Sequence, residues 1–292
     1  MAPAARRFFA VLALVLVGVQ GTARGSDDED GRLRWNPEWP KFRPAEFVAT
    51  GVLGSVAIAM YIAVPPQREP HWIGGILFDD AVRNALRVRT PSALKAVRSA
   101  SDVVGTSLVV LVVGIDSFVV PLARGSTDVA IQLSLMDFEA FALSSVVTFS
   151  LYDSVGRARP SYLDCQRNPG FDPDCNVSPT ASFPSGHTNE AFTAAGLSCA
   201  HHGSLPLYAN GLLDVLACAR DITFATADGV LRIMGDRHYT TDVLTGGAIG
   251  FAFGYGLPRL LHYAPWRRRS VAEWSLSPMG GARLGVVVTG SL

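Results

Sequence analysis

Charge is scarce in this chain. Only 17% of its 292 residues are Asp, Glu, Lys or Arg, and the two signs cancel to a formal net charge of zero. Without a basic excess there is no electrostatic footprint for a polyanion, so no nucleic acid partner is expected. Metal chemistry is also short of material: the sequence has no His-Glu-x-x-His, no carboxylate triplet and no Cys-rich metal spacing. Neither a metal site nor another cofactor is expected on that ground. Long apolar runs are few too. Residues 47–64 form an 18-residue stretch without a charge, ending before Pro65-Pro66, and read as a membrane span.

The other apolar stretches carry charges. Periodicity places helices at about 46–64, 74–89, 93–122, 129–153, 187–202, 207–232 and 240–262, and the expected fold is an all-α helical bundle, partly or fully embedded in a membrane. Asp116, then Asp137 and Glu139, then Asp214, Arg220, Asp221 and Asp228 interrupt these helices. At bilayer depth such groups have to face the bundle interior, and Asp137 and Glu139 are expected to pair with arginines there. Asp79, Arg83 and Arg87 at helical spacing make 74–89 an amphipathic segment suited to a membrane surface. His71, His201, His202 and His262 read as structural, with His201-His202 closing the C-terminus of their helix.

Residues 1–25 read as an export signal: Arg6-Arg7, an apolar core at 8–19, and small residues at Gly21, Ala23 and Gly25. Residues 26–45 follow as a loose acidic leader, residues 46–263 are the helical domain, and 264–292 form a tail with a candidate strand near 282–288.

Chemistry concentrates between positions 150 and 245, in three clusters: Arg159-Pro160, Pro184-Ser185-Gly186-His187, and Arg232-x5-His238-x3-Asp242. Ser185 is a candidate N-cap opening a helical run, and the free N–H groups of a first turn with the helix dipole form an anion site. Gly186 permits close backbone approach, and His187 then sits beside the anion. His238 and Asp242, four residues apart, fall on one helical face, where the carboxylate can fix the ring's tautomer. Gly235 suggests a helix break, with Thr240 or Thr241 capping the next helix, so that Arg232 and His238 converge. Arg159 offers a planar fork suited to bidentate phosphate binding.

These three clusters resemble the type 2 phosphatidic acid phosphatase and vanadium haloperoxidase superfamily, whose pattern is Lys-x6-Arg-Pro, Pro-Ser-Gly-His and Ser-Arg-x5-His-x3-Asp. Two positions depart from it: Tyr152 stands at the lysine and Leu231 at the serine before the arginine. The resemblance implies a six-helix phosphatase core and a phosphohistidine route. His238 would be the nucleophile, Asp242 its orienting partner and His187 the general acid and base. Arg159, Arg232, Ser185 and the Gly186 amide would form the phosphate cradle. Tyr152 brings no charge to the lysine's place, and Arg157 is near enough in sequence to substitute for it.

The four cysteines suit an oxidising compartment. Cys165 and Cys175 bracket a polar loop. Cys199, 12 residues after His187, and Cys218, 14 before Arg232, fall at similar depths along neighbouring helices. The expected disulfides are Cys165–Cys175 and Cys199–Cys218. Arg267-Arg268-Arg269 after the last helix suggest a cytoplasmic tail and a site on the periplasmic side. A cleaved signal conflicts with that orientation unless an even number of spans precedes Arg159. The substrate expected is a phosphorylated lipid at the membrane. A broad-specificity acid phosphatase on soluble esters is the alternative, followed by a vanadate-dependent haloperoxidase and an inactive membrane scaffold.

Overall fold

A computed structural model describes residues 31–264 apart from 65, 66, 68, 173 and 176, together with the backbone of 275–278 and 286–289. The export-signal segment and Arg267 to Arg269 lie outside the described residues.

Six long helices alternate in direction. α1 (Pro44–Ala63) climbs toward what will be called the upper end; Gly54 meets Phe138 and Tyr61 meets Phe149, so it runs parallel to α4. After a short α2 (Asp79–Leu86), α3 (Pro91–Val109) descends and continues through a π-helical stretch, Val110–Val119, to a last turn, Val120–Ala123. α4 (Thr127–Val155) climbs again and stops at Gly156, which takes the left-handed conformation at φ 55° that a glycine adopts without penalty. A short α5 (Tyr162–Arg167) follows. α6 (Gly186–Ser204) descends, α7 (Gly211–Met234) climbs, and α8 (Thr240–Phe251) descends into a π-helical turn and a final segment, Leu257–Leu261. Polar caps start several of these helices: Thr90 accepts from the Ala93 N–H, Ser126 from Val129, and Asn210 from Leu212 and Leu213. β1 (Ser275–Pro278) and β2 (Val286–Thr289) pair antiparallel in the tail, where a single strand was expected.

α6 is the centre of the bundle. Its residues Ala191, Ala194, Ala195, Leu197 and Ala200 are all fully buried. α8 and the π-helical turn after it lie against it through Gly246, Gly250 and Gly254, one residue per turn. A Cβ at these positions would overlap the backbone oxygens of Ser185, Asn189 and Thr193 respectively. Only a stripe of hydrogens lets two helix backbones come this close, and the contact fixes the start of α8 beside the start of α6.

The outer surface is apolar. Phe47, Val52, Ile58 and Ile62 of α1, Val103, Val110 and Phe118 along α3, Phe138 of α4 and Leu212, Val215 and Phe224 of α7 are exposed. Among the described residues three helices are long and apolar enough to cross a membrane: Pro44–Ala63, Pro91–Ala123 and Thr127–Val155. The charges that interrupt them point inward. Asp116 meets Tyr208 and Arg220, and Asp221 also meets Arg220. Asp137 and Glu139 were expected to bind arginines; they bind His201 at 2.9 Å and His262 at 3.1 Å instead. His201 and His202 are therefore not an exposed helix cap. Both are about 1% exposed, and His202 is held by Asp214 at 2.8 Å.

The leader is not loose over its described part. Leu33, Trp35, Trp39 and Phe42 are buried against Leu133, Met136, Leu205 and Tyr263, closing the lower end of the bundle. Trp39 meets Tyr263 edge-on at 5.0 Å between ring centres, an arrangement that contributes beyond burial alone. α2 also departs from expectation. It spans only Asp79–Leu86, and its charged face turns onto the protein: Arg83 pairs with Asp236 and Asp164, and Arg87 with Asp164. Ile76, Leu77 and Phe78 just before it are exposed instead.

Candidate active site

The upper end gathers the C-termini of α4 and α7 and the N-termini of α3, α6 and α8, with the loops between them. The start of α6 places His187 in its first turn, with half of its side chain exposed (52%). The loop from Gly235 to Tyr239 joins α7 to α8 and carries His238, which is only 3% exposed. Gly235 thus makes the expected break, but Tyr239 rather than a threonine occupies the cap position of α8, and the Asp242 carboxylate accepts its N–H at 2.8 Å.

His238 does not touch Asp242. Its Nδ1 lies 2.7 Å from the Ser182 carbonyl oxygen. A carbonyl only accepts, so Nδ1 carries the proton and Nε2 presents its lone pair. That Nε2 faces Arg159, whose Nη1 is 3.4 Å away. Burial first, and Arg159 second, hold the ring's pKa well below the ordinary histidine value, so it is neutral at pH 7. A neutral imidazole with a bare Nε2 beside a guanidinium is the state in which a histidine can attack phosphorus.

Asp242 acts at one remove. It accepts from Ser182 Oγ at 2.6 Å and Arg157 Nη1 at 2.5 Å, and so fixes the loop whose carbonyl orients His238. Burial pushes its carboxyl up to about 6 against the pull of Arg157, Ser182 and Tyr239, leaving it ionised at neutral pH. Arg157 is not a phosphate ligand in place of the missing lysine. It is fully buried, paired to Asp242 and to Asp79 at 2.8 Å, and sandwiched between Trp72 at 4.0 Å and Tyr239 at 4.1 Å. Asp79 in turn accepts from the Thr241 N–H and hydroxyl. Removing one member of such a buried ionic set costs about 3–5 kcal/mol, so this cluster anchors α2 and α8 around the site.

Arg159 keeps the place expected of a cradle residue. Its Nε donates to the Ser178 carbonyl and its Nη1 to the Arg237 carbonyl, but no carboxylate pairs with it among the described residues. Burial, then the neighbouring Arg237, lowers its pKa to about 9. Arg232 is 5% exposed; its Nη2 is bonded to Asp102 of α3, while its Nε is buried without a hydrogen bond, with Asp228 Oδ1 3.9 Å away. Burial, then Arg232, also depresses His187, to about 4. Two arginines beside a histidine, one with a buried donor that makes no hydrogen bond, are an arrangement suited to an anion.

Two predicted cradle members sit differently from expectation. The Ser185 hydroxyl is fully buried and bonded to Thr188 Oγ1 at 2.9 Å; the residue caps α6 with its backbone, its carbonyl accepting from the Asn189 N–H. Tyr152 packs its hydroxyl directly against Gly186, where any Cβ would collide with it, and accepts the Gly186 N–H. The tyrosine at the lysine's position therefore does reach the site. Sequence reasoning missed Ser182, whose contribution is a backbone carbonyl, and Asp102, which lies on α3 outside the three clusters. It also missed Arg237, beside His238 in the chain, whose side chain has no hydrogen bond or ion pair among the described residues. The adjacent His238 was the signal available for that one.

Both expected disulfides are present: Cys165–Cys175 ties down the loop beside the site, and Cys199–Cys218 joins α6 to α7. Arg98 of α3 clamps the first of these loops through Asp172 at 2.6 Å and reaches the Gly235 carbonyl at 2.9 Å. Among the described residues one group, Glu46, Glu139 and His262, has metal-ligand proximity, at the lower end of the bundle. Arg43 already neutralises Glu46, and Glu139 is bonded to His262, which makes it an internal ion-pair network.

The upper end of the bundle thus brings His187 and His238 together with Arg159 and Arg232. Residues 138–266 match the model of the PAP2 superfamily. A segment of 74 residues is 38% identical to the lipid A 1-phosphatase of Porphyromonas gingivalis, a match that covers 25% of this chain and 15% of that relative's length. The crystal structure of a transmembrane PAP2-type phosphatidylglycerolphosphate phosphatase from Bacillus subtilis is similar at 18% identity and a TM-score of 0.48, over 74% of this chain and 94% of that one.

Proposed function

We propose that this chain is a membrane-associated phosphatase that removes a phosphate from a lipid phosphomonoester or diphosphate, without a metal ion, through a phosphohistidine on His238. The observation that carries the reading is the bond from His238 Nδ1 to the Ser182 carbonyl, which leaves Nε2 unprotonated next to Arg159. The phosphate lies between Arg159, Arg232 and the first turn of α6. The Nε2 lone pair attacks phosphorus, the bond to the leaving oxygen breaks, and His187 gives that oxygen its proton. Water then attacks phospho-His238, His187 takes a proton from it, and the P–N bond breaks to release phosphate.

The apolar belt and the membrane-length helices support a substrate held in a bilayer, and the similarity to a lipid A 1-phosphatase supports a phosphate on a lipid. The disulfide beside the site supports a location outside the cytoplasm. The test is phosphate release from detergent-dispersed phosphatidate compared with p-nitrophenyl phosphate, with chelator present throughout. Wild type is expected to turn over the lipid, and His238→Ala to fall by about 10³-fold or more and to lose an acid-labile phosphoenzyme label, as expected for removal of a nucleophile. Near-normal turnover in that variant would assign the nucleophile elsewhere.

A further inference from the structure

Asp102 stands out because nothing in the motif pattern calls for it. It projects from α3 into the mouth of the site, and it is 58% exposed where its partner Arg232 is 5% exposed. One oxygen, Oδ1, makes both of its contacts: the Nη2 of Arg232 is bonded to it, and the Nε2 of His187 lies 3.5 Å from it. These are the cradle arginine and the acid that flank the phosphate and its leaving oxygen under the reading above. The carboxylate oxygen therefore sits where a substrate oxygen would sit.

We propose that Asp102 is an internal counter-anion that occupies part of the phosphate subsite and has to be displaced from Arg232 when phosphate binds. This rests on the phosphatase reading and adds to it a residue that sets anion affinity. Several features support displacement over a fixed structural role. Arg232 keeps a second donor, Nε, buried and unused, and Asp228 approaches that Nε only to 3.9 Å. Asp228 is itself held by Ser101 at 2.5 Å, so it cannot follow Arg232 toward the site. Asp102 has no other hydrogen bond or ion pair among the described residues and is the more exposed partner, so it can swing outward into water at little cost. Arg159 and Arg237, by contrast, have no paired carboxylate among the described residues. The device weakens the grip on the anionic product, inorganic phosphate, and so favours its release in a site otherwise crowded with positive charge.

The full chain, purified in detergent, would be titrated calorimetrically with inorganic phosphate and with orthovanadate, a measurement independent of turnover. Asp102→Asn is expected to bind both anions about tenfold more tightly than wild type, a coupling typical of a partly exposed charge pair. Asp102→Glu, which restores the charge, is expected to return toward the wild-type affinity, which separates charge from shape. Equal or weaker anion binding by Asp102→Asn, with wild type binding normally, would overturn the counter-anion role while leaving the phosphate site intact. Absence of anion binding in both proteins would overturn the phosphate site itself, and the counter-anion with it.

Discussion

At the scale of single residues, the site is organised by what its arginines lack. Arg157 has two carboxylates and is structural; Arg159 has none and is available for an anion. The difference of two positions in sequence separates a guanidinium held by carboxylates from one held by carbonyls alone. The same positive surroundings account for His187: burial and Arg232 depress it to about 4 in the unliganded site. A bound dianion reverses that field and raises the pKa, because it stabilises the charged ring. The sign is then fixed: between about pH 4 and the raised value, binding takes up a proton, so anion affinity increases as pH falls. Sulfate, which does not titrate in this range, isolates the effect from the ligand's own protonation. Calorimetry at pH 5.5 in buffers of different ionisation enthalpy is expected to show uptake of a fraction of a proton in wild type and none in His187→Gln. Equal uptake by both proteins would assign the proton to another group.

At the scale of helices, the placement of His187 and His238 depends on how closely α6 and α8 approach. The Gly246, Gly250 and Gly254 stripe puts the backbone of α8 onto α6, and the Ser185 N–H donates to the Asp242 carbonyl at 2.9 Å across that contact. The loop holding His238 and the turn holding His187 are thereby set by one helix pair. Gly250→Leu would drive a side chain into the Asn189 carbonyl. Because backbone cannot give way as a side-chain tip can, the expected loss of stability is at the top of or beyond the roughly 1–3 kcal/mol usual for overpacking. Thermal unfolding in detergent should therefore fall by several degrees with loss of activity. The exposed Leu244→Ala on the same helix is the control; it should change neither by much.

At the scale of the molecule, three membrane-length helices precede the site. If all three cross, residues 31–43 at the lower end and the site at the upper end lie on opposite sides of the membrane. A cleaved export signal and a site outside the cytoplasm cannot both hold with that count. The disulfide at the upper end favours the site outside, with the docked Trp35–Phe42 segment within. Single cysteines added at Asn168, exposed at the upper end, and Lys41, exposed at the lower, report on this directly. With the native disulfides intact, a membrane-impermeant thiol reagent applied to intact cells should label position 168 and spare 41. Labelling of 41 alone would invert the orientation; labelling of both would mean that the bundle does not cross.

The sequence by itself determined the helices and the end of the bundle at which the motif residues gather. Apolar runs bounded by proline, glycine and polar caps are local signals, and the long helices fall within a few residues of where periodicity places them. Arg159, His187, Arg232 and His238 meet at one end because each lies at a helix terminus or in a loop joining two of them, and the alternating directions of a bundle bring such ends together. The partners of the buried charges were decided only by tertiary structure. Asp137 and Glu139 found histidines rather than arginines, Arg157 turned into the protein, Asp242 reached His238 only through Ser182, and Asp102 arrived from α3. The leader likewise became part of the core because Trp35 and Trp39 found Tyr263, far away in sequence. Helix formation is governed by neighbours three and four residues apart. Ion pairing in an apolar bundle is governed by whichever charge the packing brings within reach, and no local pattern encodes that distance.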